Sequence, residues 1–159
     1  MASFKKTGNY NEIVSFMNNL KKNIKKTMDS NLRIVAYKIQ KTMVTGIRDK
    51  RFNFAPNAPS TIKAKKSSTP LINFGELLGS IKVRKVQKGY LIGAYKNARH
   101  SNGGSLANIF AILTFGINTI SKSGKIMKMP ARDAISPSVL ANEKEFKKHV
   151  ELAIKEAIK

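Results

Sequence analysis

The chain has no cysteine and no tryptophan, only two histidines, and nine acidic residues against thirty lysines and arginines. Each shortage excludes something. Without cysteine there is no disulfide framework and no thiolate metal site. Glu76 is the only acid between Lys50 and Arg132, so the middle of the chain is short of the carboxylates that a two-metal nuclease needs. His100 falls in a polar loop and His149 on a lysine-rich segment, neither beside an evident acid or nucleophile partner, and both are expected to be solvated. Nothing matches Walker A, HExxH or GxGxxG. No apolar run approaches the ~20 residues that span a bilayer. The opening MASFKKTGNY carries charge but no apolar stretch, so it is not expected to serve as a secretory signal. The expectation is a protein that is not an enzyme, with no cofactor, no metal and no membrane partner.

What is present is a hydrophobic fraction of 42% in 159 residues, enough for one domain with a real core. It divides into a helical arm over residues 1–49 and a core over 50–159. The net charge is +21 and the pI is near 10.4, a field that attracts polyanions such as DNA, RNA or an acidic protein surface. Lysine carries most of it, since the arginines are Arg33, Arg48, Arg51, Arg84, Arg99 and Arg132. Base readout favours arginine forks, so sequence-specific recognition is not expected.

Over residues 10–46 the apolar positions Ile13, Met17, Leu20, Ile24, Met28, Leu32, Val35, Ile39 and Met43 recur every three or four residues. That spacing predicts one amphipathic helix or two nearly collinear ones, capped by Asn9 with Glu12, stopped at Gly46, and with a candidate break at Asp29, Ser30 and Asn31. Pro56, Pro59 and Pro70 mark a loop with a short helix over 60–66, capped by Ser60. Asn73 and Glu76 have capping-box spacing for a second short helix that Gly79 ends. Strands follow over 80–86 and 90–95, joined by a tight turn. A polar loop over 96–104 lacks packing residues. Ser105 caps a helix closed by Gly116, and two more short strands occupy 117–120 and 125–129. A last helix starts at the cap Ser136 with Pro137 in the first turn, and its apolar stripe is Leu140, Phe146, Val150, Ala153, Ile154 and Ala157. The fold class is α+β: a small antiparallel sheet from two hairpins, packed by a long N-terminal helix, a middle helix and a C-terminal helix.

Four short elements in order carry a resemblance. Pro56, then Pro59-Ser60-Thr61-Ile62 with Lys65, is similar to a "PLSPSTIxxK" element. Pro70-Leu71-Ile72, Gly75, Leu77 and Ser80-Ile81 follow a "PLIxTGxLxxSI" pattern. Phe110-Ala111 and Phe115-Gly116 fit a "YAxxHxFG" segment, and Met129-Pro130-Ala131-Arg132 fits "IPARxFL" before a terminal helix. Together, over residues 50–158, they resemble the tail-completion or neck proteins of tailed phages. Asn73-Phe74, Leu113-Thr114 and Asp133-Ala134-Ile135 depart from the family's usual residues, and the 96–104 loop is long.

The resemblance implies a non-enzymatic virion protein, assembled in the host cytoplasm. It would form a homo-oligomeric ring (hexamer or dodecamer) in the neck or at the head-proximal end of the tail. Its partners would be adjacent connector and tail proteins, with weak contact to genomic DNA in the channel. The docking elements would be the loops 96–104 and 119–126, with Lys96, Arg99, Asn102, Lys122, Lys125, Lys128 and Arg132 as contact residues. Arg132 could pair with a carbonyl array or a neighbour's carboxylate, but an intra-chain structural bond is the preferred reading for it. Pro59, Ser60, Asn73, Gly75, Glu76, Phe115, Gly116 and Pro130 would be structural motif positions. The competing reading is a basic, nonspecific nucleic-acid-binding protein. It accounts for the charge directly and for the ordered motifs not at all. A small toxin or nuclease is disfavoured by the missing acids.

Overall fold

A computed structural model describes residues 8–65, 68, 75–120, 124 and 126–158. The first element, α1 (Tyr10–Arg48), is a single 39-residue helix, about 58 Å long at 1.5 Å per residue. It does not break at residues 29–31, where Asp29 and Asn31 reach other elements. The Asp29 carboxylate takes Lys85 Nζ at 2.7 Å and accepts from the Tyr90 hydroxyl at 3.2 Å. Asn31 Nδ2 donates to Thr27 O, one turn back, and reaches Glu156 Oε2 at 3.4 Å. The Asn9 side chain makes no capping bond; its carbonyl accepts from Glu12 N at 3.1 Å instead. Nor does Gly46 end the helix, which runs on to Arg48 with Asp49 as cap. Gly46 is there for closeness, since a Cβ at that position would overlap the Phe52 ring.

After α1 come α2 (Pro59–Lys65), α3 (Glu76–Ser80), the hairpin β1 (Ile81–Val86) and β2 (Gly89–Ala94), α4 (Leu106–Phe115), the hairpin β3 (Ile117–Ile120) and β4 (Ile126–Met129), α5 (Ile135–Ala141) and α6 (Glu143–Ile158). The class is α+β, mostly helical. The two hairpins form two separate two-stranded antiparallel sheets rather than one. The first lies on α1 and α4. Its register sets Lys85 opposite Tyr90, which is why both reach Asp29. Met43 and Ile47 of α1 meet Leu77, Ile81, Leu106, Phe110 and Ala134 in one buried cluster. The core therefore sits at the C-terminal end of α1.

The C-terminal segment is two helices. Asn142 lies between them, its Nδ2 donating to Ser138 O at 2.8 Å and Thr42 Oγ1 at 3.0 Å. Ser136 is not the cap: Asp133 Oδ1 accepts from Ile135 N at 2.7 Å and Ser136 N at 3.2 Å. The expected apolar stripe is also displaced. Ala153 and Ala157 are buried, but Leu140, Phe146 and Ile154 are exposed. The face that meets α1 carries small and polar residues: Ser138, Asn142, Glu145, His149, Ala153 and Ala157. Lys38 pairs with Glu145 at 2.6 Å and, through that bond, holds its carboxyl below the usual range. Thr27 Oγ1 donates to Ala153 O at 2.9 Å. His149 is not solvated; its Nδ1 lies 2.8 Å from Asn31 Oδ1, and its side chain is 14% exposed.

Candidate assembly surfaces

Arg132 is the centre of the most tightly built region. Its backbone N–H donates to Leu113 O at 2.7 Å, which anchors the segment after β4 on the end of α4. Its guanidinium donates from Nε to Ala55 O and from an Nη to Pro56 O, both at 3.2 Å. A planar fork suits two fixed carbonyls better than an ammonium would. The residue is buried, burial lowers its pKa, and among the described residues no carboxylate pairs with it. Arg132, named among the docking contacts but preferred as an intra-chain bond, is an internal tie between the proline-rich loop and the segment leading to α5.

Gly116 makes the corner next to it. It has φ 73° and ψ 175°, a region open essentially to glycine alone. A Cβ there would lie 2.8 Å from Met129 O and 2.9 Å from Ala131 N. A cleft beside this corner is lined by Pro56, Pro59, Thr61, Met129, Pro130 and Arg132. Residues from the first and last of the four sequence elements thus meet in space, although some seventy positions separate Pro59 from Pro130.

Glu76 ties a second region. Its helix has Gly75, at φ 74°, as cap, and Glu76 is the first helical residue, a first-turn acid as expected. Asn73 lies outside the described residues. Gly79 falls inside the helix, which ends at Ser80. The Glu76 carboxylate reaches the 96–104 loop, accepting from Ser101 N at 3.2 Å and lying 3.2 Å from His100 Nε2. His100 is only 15% exposed along its side chain. The loop is ordered by its own bonds as well: His100 N donates to Gly104 O, Gly103 N to His100 O and Leu106 N to Ala98 O. Ala98 packs on the core. The expectation of a loop without packing residues is therefore corrected; the sequence gives no spacing signal for an acid that finds its partners some twenty-five residues on.

Of the expected contact residues that the structure describes, Lys128 and Arg132 line the same cleft. Lys96, Arg99 and Asn102 are exposed on the 96–104 loop, where Asn102 Oδ1 accepts from Gly104 N. Lys128 is exposed on β4. Pro59 and Pro130 are exposed at the Arg132 cleft. Ser60 is the second residue of α2, so it sits inside the helix rather than capping it. Lys122 and Lys125 lie outside the described residues.

Two apolar surfaces were not anticipated. On the N-terminal part of α1, Tyr10, Ile13, Phe16 and Met17 are each more than half exposed, and of these Ile13 and Met17 belong to the apolar stripe that periodicity predicts. At the second hairpin, Phe115 is 80% exposed, with Ile120 and Ile126 paired across the ladder and also exposed. The available signal was length, since a helix of this span outruns a core gathered at one end of it.

No family model, curated protein or solved structure matches the chain.

Proposed function

We propose that the protein is a structural, non-enzymatic subunit of a tailed-phage particle, forming a ring in the neck or at the head-proximal end of the tail and joining head to tail. The observation that carries this reading is the apolar surface on projecting elements. A two-stranded ribbon and an unsupported stretch of helix are marginal alone in water, and contiguous exposed apolar surface marks a place of contact. Both belong to a chain whose buried core is small and sits elsewhere. The order of the sequence elements supports the same reading, as does the meeting of Pro59, Pro130 and Arg132 at one corner. The contacts round the ring are heterologous and close by rotation, and the strands of the second hairpin and the arm face neighbouring subunits or the rings above and below.

The charge favours a second reading, a basic nonspecific nucleic-acid binder. The two separate on mass and salt. Native mass spectrometry with negative-stain imaging of the purified protein should show closed hexamers or dodecamers. A titration with duplex DNA near physiological salt should show affinity no tighter than about micromolar. Monomers at every concentration together with nanomolar DNA binding would overturn the ring reading and favour the second.

A further inference from the structure

Between α1 and the turn of the first hairpin lies a groove of about 680 Å³. Its floor is apolar, with Ile24, Met28 and Leu32 of α1 facing Val86. Its rim is basic: Lys21, Lys22, Lys25 and Lys26 on one side, Lys85 and Lys88 on the other. Asp29 is the one acid in it, and that carboxylate is already taken by Lys85 at 2.7 Å. The apolar floor continues along α1 through Leu20, Met17 and Ile13 at steps of three and four, beyond the point where Thr27 bonds to α6.

We infer that this groove receives an acidic amphipathic helix from a protein other than this one. The inference names the chemistry of a partner within the assembly reading and rests on that reading to this extent. Three observations choose the occupant. The first is shape: a helix about 10 Å across with a 5.4 Å pitch fills 680 Å³ with roughly one and a half turns, and the three-four stripe on α1 offers ridges along which it continues. The second is chemistry. Tyr90 and Arg33 stand beside Asp29 at the edge, but the lining itself has neither an arginine nor an aromatic ring, the side chains that read and stack nucleic-acid bases, whereas its apolar floor matches the buried face of an amphipathic helix.

The third observation excludes a second copy of the chain. Asp29, Asp49, Glu76, Glu143 and Glu145 each have a basic side chain within ion-pair distance. Asp133 caps a helix, and Glu156 accepts from Asn31. Of the nine acids this leaves Glu12 on α1 and Glu151 on α6, against thirty lysines and arginines on the same copy. Charge complementarity therefore points to an acidic partner, and complementary fields also speed and orient docking.

The test uses the full chain and a synthetic helical peptide about five turns long, with leucine at i, i+3, i+4 and i+7 spacing and glutamate elsewhere. Two probes control for plain charge: a scrambled peptide of the same composition and an oligothymidine of equal charge. Binding by fluorescence anisotropy should favour the amphipathic peptide over both. It should weaken on the order of tenfold in the Lys22→Glu/Lys25→Glu variant and in Met28→Glu, and hold in Lys144→Glu/Lys155→Glu on α6. Equal binding of the scrambled peptide or the oligothymidine, or equal loss in the α6 variant, would overturn the inference. Native mass on the same samples separates the two ideas. Closed rings without selective peptide binding remove the groove assignment alone, and selective peptide binding without rings removes the ring alone.

Discussion

Arg132 carries a full charge and is 7% exposed; Phe16 carries none and is 62% exposed. Each inverts the usual placement of its residue type, and the two inversions have different causes. Arg132 sits at a corner where carbonyls of the proline-rich loop converge on its guanidinium, so its donors are satisfied within the chain. Phe16 sits on a length of α1 that no other described element covers, so its apolar surface is left exposed. The corner is a finished piece of structure and the arm is an unfinished one. In the assembly reading, the first holds the loops in place and the second makes contacts, which is why residues of the sequence elements cluster at the corner and avoid the arm.

The largest expected effect breaks the corner. Gly116→Ala forces a side chain into a backbone region that costs about 1–3 kcal/mol for any other residue and adds an overlap with Met129 O. We expect a loss of about 3 kcal/mol in the urea midpoint analysis. A midpoint equal to that of the wild type would show that the segment after α4 relaxes freely, and the corner would lose its distinction from the arm.

A middle effect sharpens the comparison at the start of α5. Burial pushes the Asp133 carboxyl up, but hydrogen bonds from Ser136 and Ile135 outweigh it, and the group sits below the usual carboxylate range. A carboxyl whose pKa is lower in the folded than in the unfolded state contributes stability above its unfolded pKa and loses it as pH falls through the folded one. Asp133→Ala should cost about 1 kcal/mol at neutral pH, as cap removals do. The difference from wild type should shrink on acidification below about pH 4, where the unfolded carboxyl titrates. Asp133→Asn, which keeps an acceptor oxygen, should recover most of the neutral-pH stability. A gap between Asp133→Ala and wild type that is constant from neutral to acid pH would mean the carboxylate does not stabilise the helix start.

How much of this was legible beforehand follows the range over which each feature is decided. The long helix, both hairpins, Ser105 as the cap of α4 and the α+β class rest on local periodicity and turn residues, and the structure has them. Features decided by distant partners were not legible: the candidate break at Asp29 to Asn31 does not form, and Glu76, a first-turn acid as expected, has partners that no local spacing signals. Asp29 and Asn31 look like helix breakers until Lys85, Tyr90 and Glu156 reach them. Glu76 meets His100 and Ser101 only when their loop folds over it. In α6 the predicted apolar stripe meets α1 at Ala153 and Ala157, beside a row of polar side chains. Larger apolar residues such as Phe146 and Ile154 are left outside. Periodicity finds an apolar stripe but does not say whether the protein's own core or a partner covers it.

The smallest expected effect on stability tests that last point on the arm. Ile13 and Met17 are 60% and 58% exposed and one turn apart on α1, so Ile13→Glu/Met17→Glu removes apolar surface that no described element covers. Exposed substitutions of this kind change stability by about ±0.5 kcal/mol, and acids near a helix N-terminus are favoured by its dipole. The double variant should therefore unfold at the same urea midpoint as the wild type. In the assembly reading it should fail to form rings, because a neighbour's apolar surface would face two carboxylates with no positive partner, a burial that costs far more than the substitution does in the free chain. The paired measurement is urea unfolding and native mass on one preparation. A midpoint lowered by as much as Gly116→Ala lowers it would place the stripe inside the chain's own fold and erase the contrast with Arg132. An unchanged midpoint with rings intact would leave the arm exposed in the assembled state as well, and the contacts between subunits would then fall to the second hairpin, around Phe115 and Ile120.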